Sequence, residues 1–131
     1  MRVLFVCIHN AGRSQMAEAL FNRMSGGGHR AFSAGSQPAS EIDPKTVEVM
    51  DEIGVDLHTH VPKSVEHYRA QKFDYAISMG CGDACPFVAA PHRLDWSIPD
   101  PRGKSLEEYR QTRDMLAKKI KALTDQMDLK D

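Results

Sequence analysis

The run Val3-Leu4-Phe5-Val6 has no polar face. A strand of that kind cannot lie with one side in water; it belongs between two covering layers, as the central strand of a parallel sheet does. Parallel strands need long crossover connections, and the chain supplies them. After a short loop, Met16, Ala17, Leu20, Phe21 and Met24 recur at spacings of three and four until Ser25-Gly26-Gly27-Gly28 ends the pattern, with Ser14 as the expected cap. A second strand is predicted over residues 30–34, ended by Gly35. Asp43-Pro44, a capping residue with proline at the first helical position, opens a helix that carries Val47, Met50 and Ile53 and is closed by Gly54. Residues 73–79 read as a third strand and Arg93-Leu94-Asp95-Trp96 as a fourth. Ser105-Leu106-Glu107-Glu108 is a capping box at the head of the longest helix, with apolar positions Leu106, Tyr109, Leu116, Ile120, Leu123 and Met127. The expected fold is α/β, one domain over residues 1–131: a three-layer sandwich with a central four-stranded parallel sheet flanked by helices. Ligand sites in such sheets lie beyond the carboxyl ends of the strands, and the loops that open at Cys7 and at Cys81 both follow predicted strands.

Seventeen Lys and Arg nearly cancel eighteen Asp and Glu, so no global field recruits nucleic acid or an anionic membrane, and any preference for anions must be local. The apolar stretch after Arg2 reaches only to Asn10, too short for a signal-peptide core or a membrane span; a cytoplasmic location is expected. In a reducing compartment three cysteines read as catalytic, redox or metal-binding thiols rather than as a static disulfide framework.

Cys7-Ile8-His9-Asn10-Ala11-Gly12-Arg13-Ser14 is built for a tetrahedral oxyanion. The arc from Ile8 to Ser14 can wrap an anion with main-chain N–H groups, and Gly12 allows a backbone conformation that a β-carbon resists. The helix that follows adds its positive end. Arg13 offers a planar fork to two oxygens, and its field, with the amides and the Ser14 hydroxyl, favours Cys7 as a thiolate nucleophile. The competing reading makes Cys7 a small buried hydrophobe at a strand end. For His9, loop structure stands beside any catalytic role.

Cys7 to Ser14, followed by Gln15-Met16-Ala17-Glu18, resembles the oxyanion loop of the arsenate reductases that share the low-molecular-weight tyrosine phosphatase fold. Asp100-Pro101 looks like that superfamily's acid loop, and the likeness runs from Arg2 into the final helix. The resemblance implies that Asp100 protonates the leaving oxygen; a turn residue before proline is the alternative. It also implies that Cys7 attacks arsenate, that Cys81 attacks the Cys7 sulfur and releases arsenite, and that Cys85 converts the Cys7–Cys81 disulfide to Cys81–Cys85. Gly80 and Gly82 suit a loop that must move its sulfur between partners. Three rivals remain: a phosphatase in which Cys81 and Cys85 are incidental, a zinc site made by Cys81 and Cys85 with Cys7 or His92, and a non-catalytic oxyanion-binding or redox-sensing module.

The family's usual reductant is thioredoxin. The compact Cys81-x3-Cys85 spacing instead resembles a subgroup in which some members use a low-molecular-weight thiol such as mycothiol. Some relatives bind potassium beside the oxyanion loop through an Asn, a Glu, a Ser and an Asp. Asn10, Glu18 and Ser33 match the first three, and Lys63 is the expected counterpart of the fourth, its ammonium taking the cation's place. The chain is therefore expected to need no cofactor, no metal and no potassium, to hold arsenate, phosphate or sulfate in the loop, and to act as a monomer.

Overall fold

The computed structural model describes residues 1–80, 82 and 87–130. Four parallel strands, β1 (Arg2–Cys7), β2 (Arg30–Gly35), β3 (Tyr75–Ser78) and β4 (His92–Asp95), form one sheet in the order β2-β1-β3-β4. β1 is central, as its apolar faces require: Val3, Leu4 and Phe5 are fully buried. Alternate side chains face opposite layers. Val3, Phe5 and Cys7 pack with α1 (Arg13–Met24), α2 (Pro44–Asp51) and α3 (Leu106–Lys130). Leu4 and Val6 pack with Phe32, Ala34, Phe73, Val88 and Tyr68, the last from a short 3-10 turn (Val65–Tyr68). The α-helices thus share one face, and a thinner layer of turn and loop residues covers the other.

The expected α/β sandwich is present, with shifts at element ends that have local causes. β3 is confined to Tyr75–Ser78 because Phe73 leaves the ladder to join the second core, while Met79 buries on the helical side. β4 is a short, exposed edge strand of His, Arg, Leu and Asp, a composition that discourages pairing with another chain. Asp43 caps α2 as expected, its carboxylate accepting from the Lys45 N–H at 3.0 Å, but the helix stops at Asp51 and leaves Ile53 and Gly54 in the following turn. The Ser105 hydroxyl accepts from the Glu108 N–H at 3.4 Å at the head of α3. Tyr109, Leu116, Ile120, Leu123 and Met127 form that helix's buried stripe, each worth about 1.5–3 kcal/mol against exposure. At its outer side Arg110 and Arg113 both hold Glu52 just beyond α2; the Arg110 guanidinium, aided by Arg113, draws that carboxyl down to about 2.

Candidate active site

β1 delivers Cys7, 3% exposed, to the carboxyl edge of the sheet, where the chain curls through residues 8–12 into α1. Ser14 is not the cap of that helix: Gly12 occupies the cap position without a side-chain bond, and the Ser14 hydroxyl turns inward, 2.8 Å from the Cys7 sulfur. The direction of that contact follows from its neighbours. The Lys63 N–H can only donate, and it reaches Asn10 Oδ1 at 2.8 Å, so the other atom of that amide is Nδ2, which donates to Ser14 Oγ at 2.7 Å. The Ser14 hydrogen is then free for the sulfur, which also receives the Asn10 N–H at 3.2 Å. Both donors converge on the atom that must carry negative charge as a nucleophile.

The carbonyls of the arc are all engaged. Those of Cys7, Ile8, His9 and Ala11 accept from the N–H groups of Ser36, Gln37, Ala39 and Asp43 at 3.3, 2.8, 2.9 and 3.0 Å. The Asn10 carbonyl accepts from Gln15 Nε2 at 3.2 Å, and that of Gly12 from the Met16 N–H at 3.0 Å. A peptide's C=O and N–H point in opposite directions, so pinning the carbonyls outward turns the amides of the arc toward its hollow. The segment after β2 is therefore a strap that shapes an anion cradle. Gly35 lets the strap pass beneath: a β-carbon there would stand 2.5 Å from the Ile8 carbonyl oxygen. The residue of the arc with positive φ is Asn10 (φ 51°), not Gly12 (φ −140°), so the left-handed turn expected at the glycine is made by an asparagine, a side chain that tolerates it.

Arg13, 7% exposed, enters from the first turn of α1. Its Nη1 donates to the carbonyls of Met79 (2.7 Å) and Ile98 (2.9 Å), which clamps the segments leaving β3 and β4 to the loop. Its Nη2 lies 3.8 Å from Asp100 Oδ2, the Asp100 side chain being half-exposed with Oδ1 accepting from the Arg102 N–H at 3.0 Å. Cys7, His9, Arg13, Asp43, Asp100 and Tyr109 line part of a cleft of about 330 Å³. His9, which lines the cleft, has its Nδ1 3.2 Å from the Gln37 carbonyl.

Asn10, Glu18 and Ser33 lie together behind the loop, with Ser33 Oγ donating to Glu18 at 3.0 Å. The expectation for the Lys63 ammonium is corrected: it lies 3.5 Å from the Val61 carbonyl, and Lys63 supports Asn10 through its main chain. His60 faces Glu18 instead, its Nδ1 3.5 Å from that carboxylate and 3.3 Å from Gln15 Oε1. Gln15 Nε2 in turn reaches Asn10 Oδ1 at 2.9 Å. Sequence reasoning singles out neither: Gln15 reaches back five positions to Asn10 through an amide with no motif of its own, and His60 is distant from Glu18, though it lies in the segment where a replacement for the potassium-ligating Asp is expected.

Cys81 and Cys85 lie outside the described residues. In the zinc alternative Cys7 and His92 cannot both serve. His92 pairs with Tyr75, which pairs with Val3, four residues and about 13 Å below Cys7 along β1, too far for two ligands of one ion. Among the described residues the ligand-type grouping within 4.8 Å is Asp51, Asp56 and His58, an exposed set at the far end of α2.

A buried cysteine sulfur at the base of an amide cradle, a clamped arginine and a carboxyl at the rim are the parts that a cysteine-dependent oxyanion site on a parallel α/β sheet would need. The chain belongs to the low molecular weight phosphotyrosine protein phosphatase family, whose model matches residues 2–131. Within that family its relatives include arsenate reductases, and its solved neighbours also include the YwlE arginine phosphatase of Geobacillus stearothermophilus, 25% identical with a TM-score of 0.82 over 98% of this chain and 94% of that one. It is 34% identical over 125 residues to the glutaredoxin arsenate reductase of Synechocystis, covering 93% of this chain and 95% of that protein. A solved arsenate reductase in its phosphate-binding state superposes with a TM-score of 0.86 at 31% identity, over 95% of this chain and 97% of the other. The thioredoxin-dependent arsenate reductase of Corynebacterium glutamicum is 38% identical with a TM-score of 0.80, over 99% of this chain and 63% of that one.

Proposed function

We propose that the protein reduces arsenate to arsenite, as a cytoplasmic monomer contributing to arsenic detoxification. The observation that carries this reading is the outward-pinned cradle with the Cys7 sulfur at its base, in a chain that also holds Cys81 and Cys85 after β3. Arsenate occupies the loop, with phosphate or sulfate as competing occupants. Cys7 attacks arsenic, Asp100 gives a proton to the departing oxygen, and water leaves. Cys81 then attacks the Cys7 sulfur; the electron pair of the sulfur–arsenic bond stays on arsenic, As(V) becomes As(III), and arsenite departs as the Cys7–Cys81 disulfide forms. Cys85 attacks Cys81, which frees Cys7 and leaves Cys81–Cys85. The net change is arsenate plus two thiols to arsenite, one disulfide and water. Thioredoxin, the reductant named for the Corynebacterium relative, is the proposed donor, with mycothiol as the small-thiol alternative.

The test is arsenate turnover with a thioredoxin system, and separately p-nitrophenyl phosphate cleavage, by wild type, Cys7→Ser, Cys81→Ser and Cys85→Ser. Loss of arsenate turnover in all three, with ester cleavage depending on Cys7 alone, is expected. Normal arsenate turnover by Cys81→Ser and Cys85→Ser overturns the three-cysteine relay. A Cys85→Ser protein that works with mycothiol assigns the small thiol as donor.

A further inference from the structure

Tyr109 projects from α3 to the cleft although the residue is 1% exposed, and its hydroxyl donates to Asp43 Oδ2. A leucine would fill the core as well; a buried hydroxyl bears a desolvation cost and is accounted for only by what it binds. Every polar atom of Asp43 is committed. Its N–H holds the Ala11 carbonyl of the cradle, its carbonyl accepts from Val47, and Oδ1 accepts from Lys45. Oδ2 takes the tyrosine.

The same hydroxyl faces the acid loop. Tyr109 lines the cleft with Asp100, Pro101 and Arg102, and Lys45, whose ammonium lies 5.7 Å over the Tyr109 ring, donates to the Lys104 carbonyl at 2.6 Å. Between these anchors and Asp100 the loop closes on itself, with the Lys104 N–H on the Pro101 carbonyl at 2.9 Å and the Arg102 N–H on Asp100 at 3.0 Å. Burial, and then the Asp43 carboxylate, push the phenol up, so the hydroxyl keeps its proton and remains a donor.

We infer that Tyr109 is a positioning residue that holds the Asp100 loop in register with the oxyanion loop through its bond to Asp43. The inference rests on the reading of Asp100 as the proton donor. It gives the tyrosine a role in the chemical step and none in anion affinity.

The experiment follows arsenate-dependent loss of free thiols in a single turnover without added reductant. In Tyr109→Phe the rate constant at saturating arsenate is expected to fall about tenfold, the equivalent of the one hydrogen bond to Asp43 that the variant loses. The half-saturating arsenate concentration, the phosphate-induced rise in Tm and the rate of Cys7 alkylation by iodoacetamide, which needs no acid, should each stay within twofold of wild type. Asp100→Asn should lose at least as much, and adding Tyr109→Phe to it should cost little more, because the two act on one step. An unchanged saturating rate in Tyr109→Phe, an additive double variant, or an equal loss in alkylation or in phosphate stabilisation overturns the inference. A wild-type rate in Asp100→Asn removes the acid assignment and the inference with it. Wild-type protein that loses no thiols to arsenate overturns the proposed function instead.

Discussion

Replacing Gly35 by alanine tests the strap directly. The added β-carbon would lie 2.5 Å from the Ile8 carbonyl oxygen, 3.1 Å from its carbon and 3.0 Å from the Asn10 nitrogen, all main-chain atoms with no rotamer to yield. Ordinary contact begins near 3.4 Å, so the backbone of the cradle must retreat by about 0.9 Å. Overpacking of this kind costs about 1–3 kcal/mol, or a fall in Tm of roughly 5–10 °C for a domain of this size. The catalytic loss should be larger than the stability loss, since a displacement near 1 Å between nucleophile and bound group costs about 100-fold. Thermal unfolding with and without phosphate, beside arsenate turnover, reads both. Gly26→Ala is the control, because nothing lies within 4 Å of its added carbon. A Gly35→Ala protein that turns over arsenate within twofold of wild type, with the usual phosphate-induced rise in Tm, would refute the close approach of strap and loop.

Other outcomes follow from the same geometry. Asn10→Ala and Asn10→Gly both lose the amide bonds to Ser14 and Lys63, but only glycine relaxes the positive φ; urea unfolding should rank alanine as the less stable by about 1 kcal/mol. Glu52, held down to about 2 by Arg110 and Arg113, contributes stability that is present above its ordinary 4.5 and lost as pH falls through about 2. The Tm gap between wild type and Glu52→Gln should accordingly be full at pH 7 and close between pH 4.5 and 2; a gap that grows on acidification contradicts this sign. With His60 beside Glu18, activity in potassium and sodium at equal ionic strength is expected to match, and strong activation by potassium alone would show that the imidazole does not replace the cation.

The features legible in the sequence were those written in adjacent residues. Val3 to Val6 announces a strand buried on both faces, Asp43-Pro44 a helix start, and Cys7 to Ser14 a loop between strand and helix. What escaped is long-range or carried by the main chain. The strap donates through N–H groups that every non-proline residue possesses, so nothing in Ser36, Gln37 or Ala39 advertises it. Serine prefers the cap position, but at Ser14 the sulfur and Asn10 compete more strongly for the hydroxyl. The charge of Lys63 draws the eye, yet its N–H does the supporting, and His60 reaches Glu18 across 42 positions of chain. Tyr109 fits the apolar stripe of α3, which hides its hydroxyl from any periodicity.

The strap separates grip from selectivity. Because the cradle is held by the main chain of residues 36–43, the side chains of Ala39, Ser40 and Glu41, which line the cleft, can be exchanged without loosening the bonds that shape the cradle. These three positions form a panel on which the fold can retune what is admitted, by size at residues 39 and 40 and by charge at residue 41, while the chemistry at Cys7 stays the same.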